Sequence, residues 1–223
     1  MGMHFGLVAV KTDVAQLMEA FPIAWPKHEF KTRGEVAGLA ALGSWIAANA
    51  RFVSAATWTP DNPGTEAYGF WQDGEWAMLL DPDFVQAGDS KGLAALGERF
   101  GCALSFVIET ASATAMFWRV DGGHGARHIS FESGEMHVEG ERLPQEEGLP
   151  SDVFYMTEME DLQRAFGITP LEQLPADKPL TGAAYVDRTD YAPIKQARQA
   201  GAADAAKAPP SVTPARRPWW KFR

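Results

Sequence analysis

The dipeptide Asp73-Gly74, placed between two strand-forming runs, constrains the fold of this chain more than any other feature of its sequence. Residues 67–71 and 75–80 flank it and are rich in aromatic and apolar side chains. An Asp-Gly pair is favoured in two-residue hairpin turns, because those turns require positive φ. Strands joined by so short a turn run antiparallel. The sequence therefore predicts a sheet that contains hairpins.

A second hairpin, with its turn at Ser133-Gly134, predicts which side chains share one face of the sheet. If the turn has two residues, His128 lies opposite Glu139, and His137 lies diagonally across from His128. Imidazole and carboxylate groups gathered in this way predict a metal site or an acid–base site at His128, His137 and Glu139. The alternative is an ordinary solvated sheet face, and a register slip of one residue would separate the group.

Apolar residues elsewhere recur at the three- and four-residue spacing of helices that pack on a core. The first helix is predicted to begin after Thr12 or Asp13, either of which can cap its start, and another begins at Asp89-Ser90. The predicted helical segments fall within residues 12–21, 35–50, 89–101 and 157–167.

These elements together predict one α+β domain over residues 1–170. Its sheet is expected to be mainly antiparallel and rich in meanders, with the helices on one face. Prolines punctuate residues 171–196, which we predict to be an extension beyond that domain. Residues 197–223 consist largely of Ala, Pro and polar residues up to position 215, so their composition predicts a disordered tail.

Charge is distributed unevenly along the chain, whose net charge is −9. From Lys195 onward there are seven Lys and Arg residues against the single acid Asp204, so the acidity belongs to the body that precedes them. An acidic body repels nucleic acid and attracts basic surfaces. We therefore expect a protein partner with a basic surface and no nucleic-acid partner. The alternative is an acidic surface that serves solubility alone.

The tail ends in a cluster of aromatic and basic residues that contrasts with the segment before it. Three interpretations are open: a docking motif with aromatic anchors for a partner, a contact with an anionic membrane surface, and a latch that folds back on the acidic body. The predicted partner-binding residues are Arg216, Arg217, Trp219, Trp220, Lys221 and Phe222.

No signature of a known enzyme class occurs in the sequence. It contains no Walker A loop, no HExxH, no G-x-S-x-G and no glycine pattern for dinucleotides, so we predict no cofactor. The single cysteine, Cys102, excludes an internal disulfide and the ligand spacing of a zinc finger. Because no signal-peptide pattern is present either, we expect a cytoplasmic protein.

The acidic charge, the hairpins and the absence of catalytic motifs favour a non-enzymatic protein-binding module. These traits are typical of bacterial immunity and adaptor proteins, an analogy that no motif carries. One alternative is a small hydrolase or metal-dependent enzyme that uses the His128/His137 patch or the loop 81–89. Another is a peripheral membrane protein tethered by its tail. An enzyme requires a pocket with perturbed titratable groups, whereas a binding module requires an exposed apolar patch with an acidic rim.

Overall fold

A computed structural model of the chain describes residues 4–54 and 56–197. In these residues nine strands form one sheet against which α-helices pack. The strands are β1 (His4–Val10), β2 (His28–Ala37), β3 (Thr65–Asp73), β4 (Trp76–Asp81), β5 (Cys102–Glu109), β6 (Thr114–Asp121), β7 (His124–Glu132), β8 (Glu135–Gly140) and β9 (Pro179–Asp187). The helices are α1 (Val14–Ala24), α2 (Gly38–Asn49), α3 (Ser90–Phe100) and α4 (Met156–Ala165), with short 3₁₀ helices at Pro144–Glu146 and Leu171–Gln173.

The strands follow the order β2-β9-β3-β4-β1-β5-β6-β7-β8 across the sheet, and every neighbouring pair is antiparallel. The predicted α+β class with a mainly antiparallel sheet is therefore confirmed. Strands β5 to β8 form a continuous meander, as expected from the hairpin patterns. The other half of the sheet is assembled from strands that are distant in the chain.

Strand β9 belongs to the segment 171–196, for which the sequence predicted an extension beyond the domain. It lies instead inside the sheet, paired with β2 on one side and β3 on the other. Ala183 and Ala184 at its centre are fully buried, one on each face. Small side chains buried on both faces show no alternation of polar and apolar residues, which is the signal that normally indicates a strand.

Helices cover both faces of the sheet, whereas the sequence predicted them on one face. Val8 and Val10 of β1 pack in a core with α1 and α3, and Leu7 and Ala9 pack in a second core with α2 and α4. Successive side chains of a strand point to opposite faces, so these cores lie on opposite sides of β1. All four side chains are fully buried. A central strand that is apolar on both faces requires a helical layer over each.

The first hairpin forms one residue later than the sequence predicted. Asp73 pairs with Trp76 as the last pair of β3 and β4, so the turn consists of Gly74, with φ of 58°, and Glu75. Asp73 is buried, and its carboxylate accepts hydrogen bonds from the backbone N–H and the hydroxyl of Thr169, at 2.6 and 3.2 Å. Asp73 therefore joins the hairpin to the segment that follows α4.

Three glycines line up across β2, β9 and β3 and allow α2 to approach the sheet. Gly182 lies opposite Gly34 on one side and opposite Gly69 on the other. A Cβ on Gly182 would overlap the indole of Trp45, and one on Gly34 would come within 2.6 Å of the same ring. A Cβ on Gly69 would overlap Leu42. The glycine row is thus a shallow channel that receives two side chains of α2.

Candidate functional site

An acidic pocket opens at the margin of the sheet where four strands begin or end. His28 begins β2 and pairs with Asp187, the last residue of β9. Glu66 stands near the start of β3, where it pairs with Tyr185 of β9. Asp81 ends β4. Because neighbouring strands are antiparallel, the beginnings of two strands meet the ends of the other two at this margin.

Alternation along the strands directs these polar side chains to the face that α1 and α3 cover. Tyr68 and Leu79 belong to the core on that face. Glu66 precedes Tyr68 by two positions, and Asp81 follows Leu79 by two, so both project to the same side. Asp187 follows the same alternation on β9. The pocket is therefore the polar end of an otherwise apolar layer.

Glu66 is the centre of the hydrogen bonds in the pocket. Its Oε2 accepts from Nε2 of His28 at 2.8 Å, from the hydroxyl of Tyr68, and from the amide of Gln86 at 3.4 Å. All three bonds end on Oε2, and no described residue donates to Oε1. The side chain of Glu66 is 37% exposed. The pocket therefore presents a carboxylate that is fixed by one oxygen and open at the other.

The surroundings of His28 favour its charged form. Its Nδ1 lies 3.3 Å from the carbonyl oxygen of Trp25 and its Nε2 faces Glu66, so both ring nitrogens face acceptors. Burial by itself lowers the pKa of His28. The hydrogen bond and negative charge of Glu66, with the carbonyl of Trp25, outweigh burial and raise the pKa above its ordinary value of 6.5. An imidazolium at this position holds Glu66 in place by charge as well as by geometry.

The ion pair between His28 and Glu66 predicts a specific dependence of stability on pH. Because the folded state raises the pKa of His28, the pair stabilises the fold fully below pH 6.5 and loses that contribution as the pH rises through the folded-state pKa. The free energy of unfolding lost in His28→Gln is therefore expected to shrink as the pH rises above 6.5. Urea unfolding followed by tryptophan fluorescence measures it, with the exposed His137→Gln as control. A loss that grows with pH would contradict the ion pair.

Asp81 is the most buried carboxyl group of the pocket, at 1% exposure. Its Oδ2 accepts from the backbone N–H groups of Gln86 at 2.7 Å and Ala87 at 3.0 Å, and its Oδ1 accepts from that of Asp83 at 3.3 Å. Burial raises the pKa of Asp81 to about 6, although these N–H groups act in the opposite direction. Asp81 therefore fixes the loop that follows β4 and loses its charge in mildly acidic solution.

The pocket has a volume of about 270 Å³ and an apolar rim. Phe52 and Val85 line it with 91% and 58% of their surfaces exposed. Large apolar side chains so exposed beside a polar cavity are typical of a binding surface. The carboxylates that line the same cavity come from Glu66, Asp81, Asp83 and Asp187.

A single base, Arg51, is present among the described residues that line the pocket. Its guanidinium is already bound, since it donates to Oδ1 of Asn62 and to the carbonyl oxygen of Pro63, both at 2.5 Å. Asp187 is held from the other side by the hydroxyl of Tyr191 at 3.0 Å. The four carboxyl groups of the cavity nevertheless outnumber the cationic groups around it, which are Arg51, His28 on Glu66 and Lys31, whose ammonium lies 3.4 Å from the hydroxyl of Thr65.

The register predicted for the second hairpin is confirmed. Ser133 and Gly134 form the turn with φ of 53° and 86°, and His128 lies opposite Glu139. The ring of His128 lies 4.9 Å from that of Trp118 at an angle of 33°, and burial lowers the pKa of His128. His137 lies on the edge strand β8 and is 67% exposed.

No ligand set for a metal is assembled at this patch. Within residues 4–54 and 56–197, no group of three or more His, Cys, Asp and Glu side chains is placed to hold a metal ion. The metal prediction for His128, His137 and Glu139 therefore gains no support from the fold. Cys102 offers no reactive thiol either, because burial and the neighbouring Asp121 raise its pKa to about 11.

The predicted docking residues of the tail lie outside the described residues. The prediction of a disordered tail falls there too, from position 198 onward. In the part of the chain that is described, no helix has the length and apolar character needed to cross a membrane. The docking residues outside it are Arg216, Arg217, Trp219, Trp220, Lys221 and Phe222.

Comparison of the chain with models of known protein families, with curated proteins and with solved structures found no match.

Sequence reasoning reached only one part of this pocket, the loop 81–89. The other members, His28, Glu66 and Asp187, are far apart in the chain and meet only because β9 lies between β2 and β3. One signal was available, since Glu66 stands at an alternating position before the apolar residues of β3. A polar residue at the end of a buried strand lies where a sheet can open to solvent.

Proposed function

We propose that the protein is a non-enzymatic binding module whose acidic pocket receives a basic side chain of a partner protein. One observation carries this proposal: Glu66 lines a cavity with further carboxylates and is held there by three donors to Oε2, while no described residue donates to its Oε1. A guanidinium or ammonium group is the counterpart of such a site, because hydrogen bonds between charged groups are the strong ones.

The apolar rim favours a side chain of a protein over a free inorganic cation. Lys and Arg carry apolar stems that pack against apolar surface while the charged group reaches a polar site. Phe52 and Val85 offer that surface beside the carboxylates of the pocket. A net negative charge on the protein also accelerates the encounter with a basic partner. An adaptor-like or immunity-like role is the form of binding with which these features agree.

The contacts of Asp81 favour binding over hydrolysis at the same pocket. Its pKa of about 6 suits a general acid, and such a group in a cleft is a common sign of an active site. However, both of its oxygens accept hydrogen bonds from the backbone N–H groups of the loop 82–87. Its burial is thus explained by the loop that it fixes.

A short peptide with one Arg between two apolar residues tests the proposal, together with the same peptide carrying neutral citrulline in its place. Isothermal titration calorimetry is expected to show weaker binding of the citrulline peptide. Glu66→Gln is expected to weaken binding of the Arg peptide by about tenfold or more, because a charged hydrogen bond contributes about 1.5–3 kcal/mol. Higher salt should weaken binding further.

The matched control is Glu135→Gln, which removes the same charge from an 81% exposed side chain on the far edge strand β8. It is expected to leave the affinity unchanged. Asp83→Asn provides a second pocket variant, since Asp83 lines the cavity without contacting His28. Equal affinity for the Arg and citrulline peptides, or equal loss in Glu66→Gln and Glu135→Gln, would refute the proposed function.

A further inference from the structure

We infer that, in the absence of a partner, this pocket is occupied by the basic and aromatic segment 216–222 of the same chain. The inference rests on the proposed function, because it assigns a second, competing occupant to the same site. Three observations carry it: the place where the described chain ends, the length of chain beyond that place, and the complementary chemistry of segment and pocket.

The described chain ends beside the pocket. Strand β9 finishes at Asp187, and the chain passes Tyr191, which lines the pocket. Tyr191 is fixed there, because its hydroxyl donates to Asp187 at 3.0 Å and its ring lies 6.0 Å from that of Trp58. Residue 197, six positions later, is the last one that the structure describes. The segment beyond position 197 is thus connected to the pocket through the six residues that follow Tyr191.

The length of the intervening chain is sufficient for the segment to return. Eighteen residues, 198–215, separate position 197 from Arg216. An extended chain of that length spans up to about 60 Å. Reversing the chain direction takes only a few of these residues. A group tethered through a linker of this order reaches an effective concentration on the order of millimolar at a nearby site. A contact with a dissociation constant below about 1 mM is then formed for most of the time.

The chemistry of the segment matches the pocket group by group. Residues 198–223 contain six Lys and Arg residues against the single acid Asp204. The guanidinium of Arg216 or Arg217 suits the open oxygen of Glu66, since a hydrogen bond between two charged groups is about twice as strong as one between neutral groups. The neighbouring Trp219 and Trp220 supply apolar surface of the kind that an exposed apolar rim binds.

Carbodiimide coupling of the full-length protein tests this directly, because it joins an amine to a carboxylate only when the two are in contact. We expect a link between Lys221 and Asp83 or Glu66, identified by mass spectrometry in the monomeric product. The link should be lost when Arg216 and Arg217 are both changed to Gln, and retained in Glu135→Gln. No link, or an undiminished link in the double variant, would overturn the latch. A link confined to dimeric product would assign the segment to a second copy and overturn it too.

Titration of the Arg peptide separates failure of the latch from failure of the proposed function. Arg216→Gln with Arg217→Gln is expected to tighten peptide binding by at least about threefold, because a pocket blocked for most of the time lowers the apparent affinity in proportion. Unchanged affinity in this variant, with weakened binding in Glu66→Gln, would overturn the latch and keep the proposed function. If neither variant alters peptide binding, the proposed function is wrong, and the latch, which rests on it, is overturned as well.

Discussion

Glu146→Leu is expected to destabilise the fold by about 3–5 kcal/mol, because it leaves the charge of Arg127 buried without a partner. The side chains of Arg127 and Glu146 are only 6% and 5% exposed. They form a two-pronged pair, with Nε donating to Oε1 at 2.8 Å and the second nitrogen donating to Oε2 at 2.5 Å. Oε1 of Glu146 also accepts from the backbone N–H of Leu143 at 3.1 Å. Urea unfolding followed by tryptophan fluorescence measures the loss.

The double variant Arg127→Met with Glu146→Leu separates the isolated charge from the loss of packing. Two apolar side chains of similar volume leave no charge unpaired, so the double variant is expected to recover most of the stability lost in Glu146→Leu. Recovery should be incomplete, because Arg127 also donates to the carbonyl oxygen of Gly140 at 2.8 Å. The exposed pair of Arg164 and Glu160 is the control, since breaking it should cost less than about 1 kcal/mol. An equally small loss in Glu146→Leu would contradict the prediction.

Gly182→Val is expected to destabilise the fold by about 3 kcal/mol or more, at the upper end of the range for overpacked cores. A side chain at Gly182 would occupy the volume of the Trp45 indole. Helix α2 would then have to withdraw from β9 and β3, and Leu42, which is fully buried beside Gly69, would lose its contacts. Thermal unfolding and the near-ultraviolet circular dichroism of the tryptophans report both effects.

Gly43→Ala is the matched control within the same helix. Gly43 lies in the interior of α2, and a Cβ there would meet nothing within 4 Å. Since glycine is unfavourable in a helix interior, the change is expected to stabilise the protein by about 0.5–1 kcal/mol. Removing the obstructing ring in Gly182→Val with Trp45→Ala should restore part of the stability. If Gly182→Val alone is as mild as an ordinary surface substitution, the glycine row does not position α2.

Local features were determined by the sequence alone. The turn at Ser133-Gly134 has the predicted register, because two residues of positive φ fix the pairing of the strands that they join. Asp13 and Asp89 cap α1 and α3, each accepting backbone N–H groups of the first turn. In these cases the atoms that decide the structure lie within a few residues of one another. The sequence patterns of β5 to β8 also predicted their pairing, since each of these strands pairs with its neighbour in the chain.

Only the tertiary structure decided the position of β9, and with it the acidic pocket. Its pairing partners lie more than a hundred residues away, and its small side chains are buried on both faces, so no local window contains the signal. Insertion of β9 brings His28 opposite Asp187 and sets Glu66 near both. A pocket formed by the ends of strands depends on the order of those strands. The order of the strands follows from how the two cores pack. That packing depends on contacts between many segments, so no single segment of the sequence specifies it.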